Sequence, residues 1–440
     1  MSTVTVSRYA FSISVAAAFL SGCSASRPSG VLPQSRTVAA TRNSSGKIQH
    51  VVIIVQMGRS FNNLFYGYPA ARTVSYGYDT KNQQIELKPI SLATKWTIVP
   101  NAYAACNGTG KIRGTNCRMN GFNKERWTCD QPGYPRCPIK YPPYAYVPHN
   151  ETAPYFDMAK QYVLSDEMYA SNFDAGTFGS LQYIIEAQDH GVIGHPSGVP
   201  GCGGGPHDWI KTLDGRRIHP CFDNTTLGDE LDAAKLSWAY YESGGTDGIC
   251  GKGSDRDDRG AGYGMWIAYW AIQHICYGPD WNKDVISEPR RFLSDVKNGD
   301  LRTVSWITPT YQNSDEAGSN SSTGPSWVAS LVNAVGESKY WDSTAIFILW
   351  DSFGGWYDQE PPAYLGRGSL GFRVPLLMIS PYAKQGYVSH VQYEHGSILR
   401  FAEDQFGLTP LSVSDSRARS PQDDCFNFNQ APRRFIAIKT

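Results

Sequence analysis

Short, nearly continuous apolar runs bounded by turn residues recur along the chain at Val51–Val55, Val304–Ile307, Ala345–Trp350 and Val374–Ile379. They are rich in β-branched residues and show little alternation, as strands buried on both faces do. Between them lie segments of helical periodicity: TLGDELDAAKLSWAYY behind a Thr start, SWVASLVNAVGESKYW, and PRRFLSDVKNG and HGSILRFAEDQFG, each closed by Gly. Alternating buried strands and helices predict an α/β fold in which a mostly parallel central sheet is covered on both sides. In such sheets ligands bind where strands end and loops begin.

Two segments break the pattern. Residues 101–148 carry four Cys and six Pro, and residues 191–221 are rich in Gly and Pro around PGCGGGPHDW. Both read as disulfide-pinned insertions. The triple Gly neither follows a strand nor opens a helix, so it is not read as a phosphate cradle.

The N-terminus changes the picture further. Arg8 precedes an apolar run from Tyr9 to Leu20 that is too short to span a bilayer as a mature helix and fits an export signal. Leu20-Ser21-Gly22-Cys23 resembles the lipobox of bacterial lipoproteins, which makes Cys23 the expected lipidation site and 1–23 a lipoprotein-type signal peptide. Residues 24–46, rich in Ser and poor in large apolar residues, read as a flexible tether, and 47–440 as one domain. The expected location is the bacterial cell envelope, with the membrane reached through the lipid anchor.

Forty basic residues balance forty acidic ones, so no net field draws the chain to nucleic acid. Apart from Cys23 there are nine cysteines and no CxxC pair, and for an exported chain disulfides are a better reading than zinc. The odd count leaves at least one thiol over, Cys276 or another, and sequence does not give the connectivity.

Signatures of P-loop hydrolysis (GxxxxGK[ST]), zincin proteases (HExxH) and α/β-hydrolases (GxSxG) are absent. What remains lies at strand ends. Thr177, in SNFDAGTFGSLQY, sits in a Gly-flanked turn before a helical run, where a hydroxyl serves as a cap or as a nucleophile. Asp351 and Asp358 flank a Gly-Gly turn after the run AIFILW, a position suited to a metal ligand or a general base. Of the scattered histidines, His149 and His395 stand out.

Taken in order, HVVIIVQ..RSFNNLF, VPHNETAPYF, SNFDAG, TLGDELDAAKLSWAYYE, VSWITPT, STAIFILWDSFGGWYD and YEHGSILRF resemble the bacterial phospholipase C and acid phosphatase phosphoesterase family. The resemblance covers most of residues 48–435. It implies an alkaline-phosphatase-like α/β/α sandwich and metal-assisted hydrolysis of phosphoric esters, with a phosphorylated small molecule or a phospholipid head group as partner. It also implies Thr177 as nucleophile, His149 and His395 as catalytic histidines, and Asp351 as a metal ligand.

Elsewhere the family pattern is broken. The usual Gln-Glu-Asn-Arg-Ser-Phe, whose Glu-Asn pair belongs to the metal site, is here Gln56-Met57-Gly58-Arg59-Ser60-Phe61. Leu181 stands where phosphatases commonly have His, Ser352 where a second Asp is usual, Gln359 where a His follows Tyr-Asp, and Glu316 in place of His in Ser-Asp-His-Ala-Gly. A thioether is a poor ligand for a hard cation and glycine offers no side chain. A carboxylate at 316 repels a phosphate placed beside it. The pattern points to a degenerate phosphoesterase with a binding or structural role, its divalent metal absent or weakly bound. Two alternatives stand beside it: an active hydrolase with a rebuilt site drawing on Asp351, Asp358, Glu316, His149 and His395, and an adhesin-like surface module built on the cysteine-rich loops.

Overall fold

The computed structural model describes residues 46–108, 117–174, 176–243, 250, 266–363, 365 and 369–440. The expected signal peptide with Cys23, and all of the tether but Gly46, lie outside them. Among the described residues no helix is long and apolar enough to cross a membrane.

An eight-stranded sheet forms the centre. Across it the order is Val285–Ser287, Trp238–Glu242, Val304–Ile307, His50–Gln56, Thr344–Trp350, Leu376–Ile379, Val163–Ser165, Tyr387–Ser389. All neighbours are parallel except Leu376–Ile379, which runs against both of its partners. The four apolar runs of the sequence are all strands here, and the central ones carry no exposed residue. Burial on both faces removes the alternation that a half-exposed strand shows.

One expected helix divides in two. Leu227–Ala233 is helical behind a capping box of Thr226 and Asp229, but Trp238–Glu242 is a fully buried strand. The chain turns at Lys235, which takes φ +59°. Beyond that turn Trp238, Tyr240 and Tyr241 are bulky aromatics that favour the pleated surface between two parallel neighbours over a further helical turn.

Four disulfides, Cys106–Cys117, Cys129–Cys137, Cys202–Cys221 and Cys250–Cys276, tie the loops. Among the described residues Cys425, not Cys276, is the free thiol; it is buried, and burial pushes it up to about 12. Such a thiol is chemically inert at neutral pH. The segment after residue 191 forms a small antiparallel sheet of Val192–Ser197, Trp209–Thr212 and Arg217–Ile218.

A buried carboxyl in helix His395–Phe406 yields a stability prediction. Glu403 lies against Asp415, whose carboxylate accepts N–H groups from Ser412 at 3.0 Å and Ser416 at 2.6 Å. Burial, with Asp415 beside it, pushes Glu403 up from 4.5 to about 10, so it is the protonated member of the pair. The folded state therefore holds a proton that the unfolded state releases, and this contribution to stability is lost as pH rises from 4.5 toward 10. Glu403→Gln, neutral at every pH, is expected to exceed wild type by at least ~2 kcal/mol at pH 9, with a smaller difference at pH 5. Urea unfolding at the two pH values measures it.

Candidate functional site

His50–Gln56 and Thr344–Trp350 pair along their whole length, so that Gln56 stands opposite Trp350 and the residues that follow, Met57-Gly58 and Asp351-Ser352, leave the sheet side by side. The loop after the other parallel neighbour of His50–Gln56, Val304–Ile307, brings Asp315 and Glu316 to the same edge. A cavity of about 500 Å³ opens there. Its lining mixes polar side chains, Thr177, Ser352, Glu316, Asn172, Asp174 and His195, with apolar ones that include Ile98, Val99, Phe173, Phe353 and Phe372.

Thr177 is the second residue of helix Gly176–Glu186. A helix start offers first-turn N–H groups that lack acceptors within the helix, and these favour an anion. Asp351, fully buried, lies close enough to Thr177 and Ser352 for both hydroxyls to favour its charged form, although burial raises its pKa overall. Its Oδ1 accepts the Gly58 N–H at 2.7 Å, while Oδ2 gains no well-formed hydrogen bond.

Gly58 has φ +57°, and a Cβ placed on it would stand 2.3 Å from Oε2 of Glu316 and 3.0 Å from its Cδ. The Glu316 carboxyl therefore occupies the room that a side chain at 58 would need. Gly354 is equally constrained: with φ +61°, its Cβ would fall 2.0 Å from the Gly58 carbonyl oxygen, so the Gly-Gly turn packs directly on this backbone. Burial, reinforced by the charge of Asp351, pushes Glu316 up to about 8. Asp315 lies deeper, accepting from Tyr155 Oη and Trp350 Nε1 at 2.9 Å each, and burial raises it to about 6.

The other expected site residues fall elsewhere. Met57 packs into the main hydrophobic core; its thioether has no reason to face polar groups. Leu181 joins the same core. His149 is exposed, its ring 4.1 Å from that of Phe156, and it does not line the cavity. His395 is enclosed where its helix begins, with Nε2 3.2 Å from the Trp350 carbonyl. Burial holds it at about 4, so it is a neutral imidazole that donates to the end of the strand and lines no wall of the cavity. Asp358 is locked in a buried pair with Arg373 at 3.0 Å, both fully inaccessible, and accepts the Asn62 and Glu360 N–H groups. Gln359 donates to the Arg72 carbonyl.

Sequence reading missed His195. It comes from Val192–Ser197 in the second insertion, and its Cε1 lies 3.0 Å from the position a Cβ would take on Gly176, next to Thr177. The residue is exposed, and the desolvation it does undergo lowers its pKa. No local motif marks it: it lies on a strand 18 positions after Thr177, and the chain's return past the helix start brings it there. The GxGxxG spacing at Gly366–Gly371 does not add a phosphate cradle: the next element is the strand Leu376–Ile379, not a helix.

A family model described as Phosphoesterase family matches residues 48–409. The chain belongs to the phosphoesterase family. Among phosphoesterase relatives, it is 24% identical over 429 residues to the hemolytic phospholipase C of Pseudomonas aeruginosa, covering 84% of this chain and 54% of that protein. It is 22% identical over 437 residues to phospholipase C A of Mycobacterium tuberculosis, covering 88% and 78%. The chain thus spans about half the length of the first of these relatives. A solved structure of a protein in the alkaline phosphatase superfamily from Vibrio parahaemolyticus is similar at a TM-score of 0.36 and 11% identity, covering 62% of this chain and 65% of that one.

The family resemblance implies a divalent metal, and the residues present fit one of the oxygen-liganded kind. Glu316 and Asp351 converge on Gly58, and Asp351 Oδ2 is buried without a well-formed hydrogen bond. Both donors are hard oxygens, suited to Mg²⁺, Mn²⁺ or Ca²⁺. The acidic triplet Asp232, Asp280 and Asp284 is a different case. Lys283 lies 3.8, 4.0 and 2.9 Å from these three and supplies the positive charge itself.

Proposed function

We propose that this chain is a phosphoric ester hydrolase with a rebuilt site, in which Thr177 is the nucleophile. The observation that carries the reading is the position of Thr177: on the cavity wall, at a helix start, with its hydroxyl beside Asp351. In this reading Thr177 Oγ forms a bond to phosphorus as the bond from phosphorus to the leaving oxygen breaks. The Thr177 proton passes to the neutral imidazole of His195, which returns it to the leaving oxygen; water then cleaves the phosphothreonine. A divalent cation beside Thr177 supplies charge neutralisation of the phosphoryl oxygens when bound. The apolar side chains in the cavity lining suit an ester whose alcohol part is apolar, such as a phospholipid, and the four disulfides suit an exported protein. Cys23 is the proposed lipid anchor.

One observation favours the degenerate reading in its place: among the described residues the cavity walls carry no Lys or Arg to meet a phosphate. Assay of p-nitrophenyl phosphate and bis(p-nitrophenyl) phosphate with Mg²⁺, Mn²⁺ or Ca²⁺, before and after chelation, separates the two. Turnover of either ester is the expected result, and no turnover with any cation would leave a binding protein.

A further inference from the structure

We propose that Glu316 stands in for the side chain missing at Gly58, so that the Glu316 and Asp351 carboxylates together hold one divalent cation beside Thr177. This deepens the hydrolase reading by naming the chain's own ligands. Cation binding does not itself require hydrolysis, so the two can fail separately.

Three strands that are neighbours in the sheet deliver the parts: Gly58 follows His50–Gln56, Asp351 follows Thr344–Trp350, and Glu316 lies in the loop after Val304–Ile307. The two carboxylates meet at one glycine. Asp351 Oδ1 accepts the Gly58 N–H, and Glu316 Oε2 lies 2.3 Å from where the Gly58 Cβ would be. A side chain at 58 would have to displace the Glu316 carboxyl from this position.

Asp351 Oδ2 is the second, independent sign of a ligand. It is a carboxylate oxygen in a fully buried residue with no well-formed hydrogen bond, and buried polar atoms ordinarily have a partner. The nearby guanidinium does not satisfy it. Arg59 spends its N–H groups on the Asp315 carbonyl at 2.7 Å, Asn63 Oδ1 at 3.1 Å and the Leu92 carbonyl at 3.2 Å, and its face rests on Trp356. Two neighbouring carboxyl groups both carry charge readily only when a cation lies between them, and otherwise one of them holds a proton. Oxygen donors and a hydroxyl neighbour select a hard divalent ion over one that prefers sulfur or imidazole.

Mn²⁺ titration of the purified chain, followed by electron paramagnetic resonance of the free ion and by the shift in Tm, tests this without any reference to turnover. Wild type is expected to bind one Mn²⁺ and to gain Tm on binding. Glu316→Gln and Asp351→Asn are each expected to weaken binding at least tenfold and to remove the Tm gain. Glu403→Gln, a remote buried carboxyl, is expected to bind as wild type does. Glu316→Gln keeps the shape of the side chain, so its fold is expected to survive, and its metal-free melting transition verifies this. Wild-type affinity in Glu316→Gln, or no stoichiometric Mn²⁺ in wild type, would overturn the proposal. Binding that depends on Glu316 in a chain that hydrolyses nothing would sustain it and sink the hydrolase reading. Turnover unaffected by Glu316→Gln would do the reverse.

Discussion

Thr177→Ala is expected to hydrolyse p-nitrophenyl phosphate or its diester at least about 10³-fold more slowly than wild type, with Mn²⁺ binding and melting temperature nearly unchanged. The attacking oxygen is then absent, and removing a nucleophile from an assembled site costs orders of magnitude in rate because the remaining groups have nothing to act on. Structure is spared for local reasons. Alanine is a better helix former than threonine, and Thr177 is the second residue of its helix, so the substitution removes a hydroxyl without opening a large cavity. Thr177→Ser keeps an oxygen in place and should retain measurable activity. Steady-state kinetics decide it: a Thr177→Ala rate within tenfold of wild type would rule out threonine attack.

Asp358→Ala should have its large effect on stability, about 3–5 kcal/mol, with no direct effect on cation binding. Asp358 and Arg373 are both inaccessible to solvent, and removing one partner leaves an uncompensated buried charge, the most costly way to break such a pair. The guanidinium also donates to the carbonyls of Asp166 and Arg72, so the pair joins three separated segments around the strand ends. Denaturant unfolding measures the loss. Mn²⁺ binding by the variant under conditions where it remains folded distinguishes this structural carboxylate from Asp351, a ligand candidate only seven positions earlier in the same turn region.

How far the site could be read from sequence depended on how each residue reaches it. Thr177 and Asp351 were legible because each directly adjoins a regular element: one opens a helix with a flanking Gly, and the other ends a run of buried apolar residues. His149 and His395 were named for their residue type within matching strings. Residue type does not say which way a ring points, and one lies on the surface and the other beneath a strand end. Met57 looked like a failed ligand and is a core residue. Glu316 looked like a charge set against the substrate; it lines the cavity with Thr177, and its carboxyl also fills the space over Gly58.

The sheet itself was largely written in the chain. Uninterrupted apolar runs of strand length are stable in water only when covered on both faces, so a buried sheet with helices around it follows from burial energetics. The segment Trp238–Glu242 escaped because an amphipathic helix runs into it with only the left-handed turn at Lys235 between them, and aromatic residues serve either element. By itself the sequence determined the α/β architecture, the family and two of the candidate site residues, since these rest on local periodicity and on residues at element ends. Only the tertiary structure decided that Gly58 and Glu316, 258 positions apart, form one feature, and that His195 stands beside Thr177. Such contacts are set by which strands become neighbours, and strand order depends on packing across the whole sheet, which no local stretch of sequence contains.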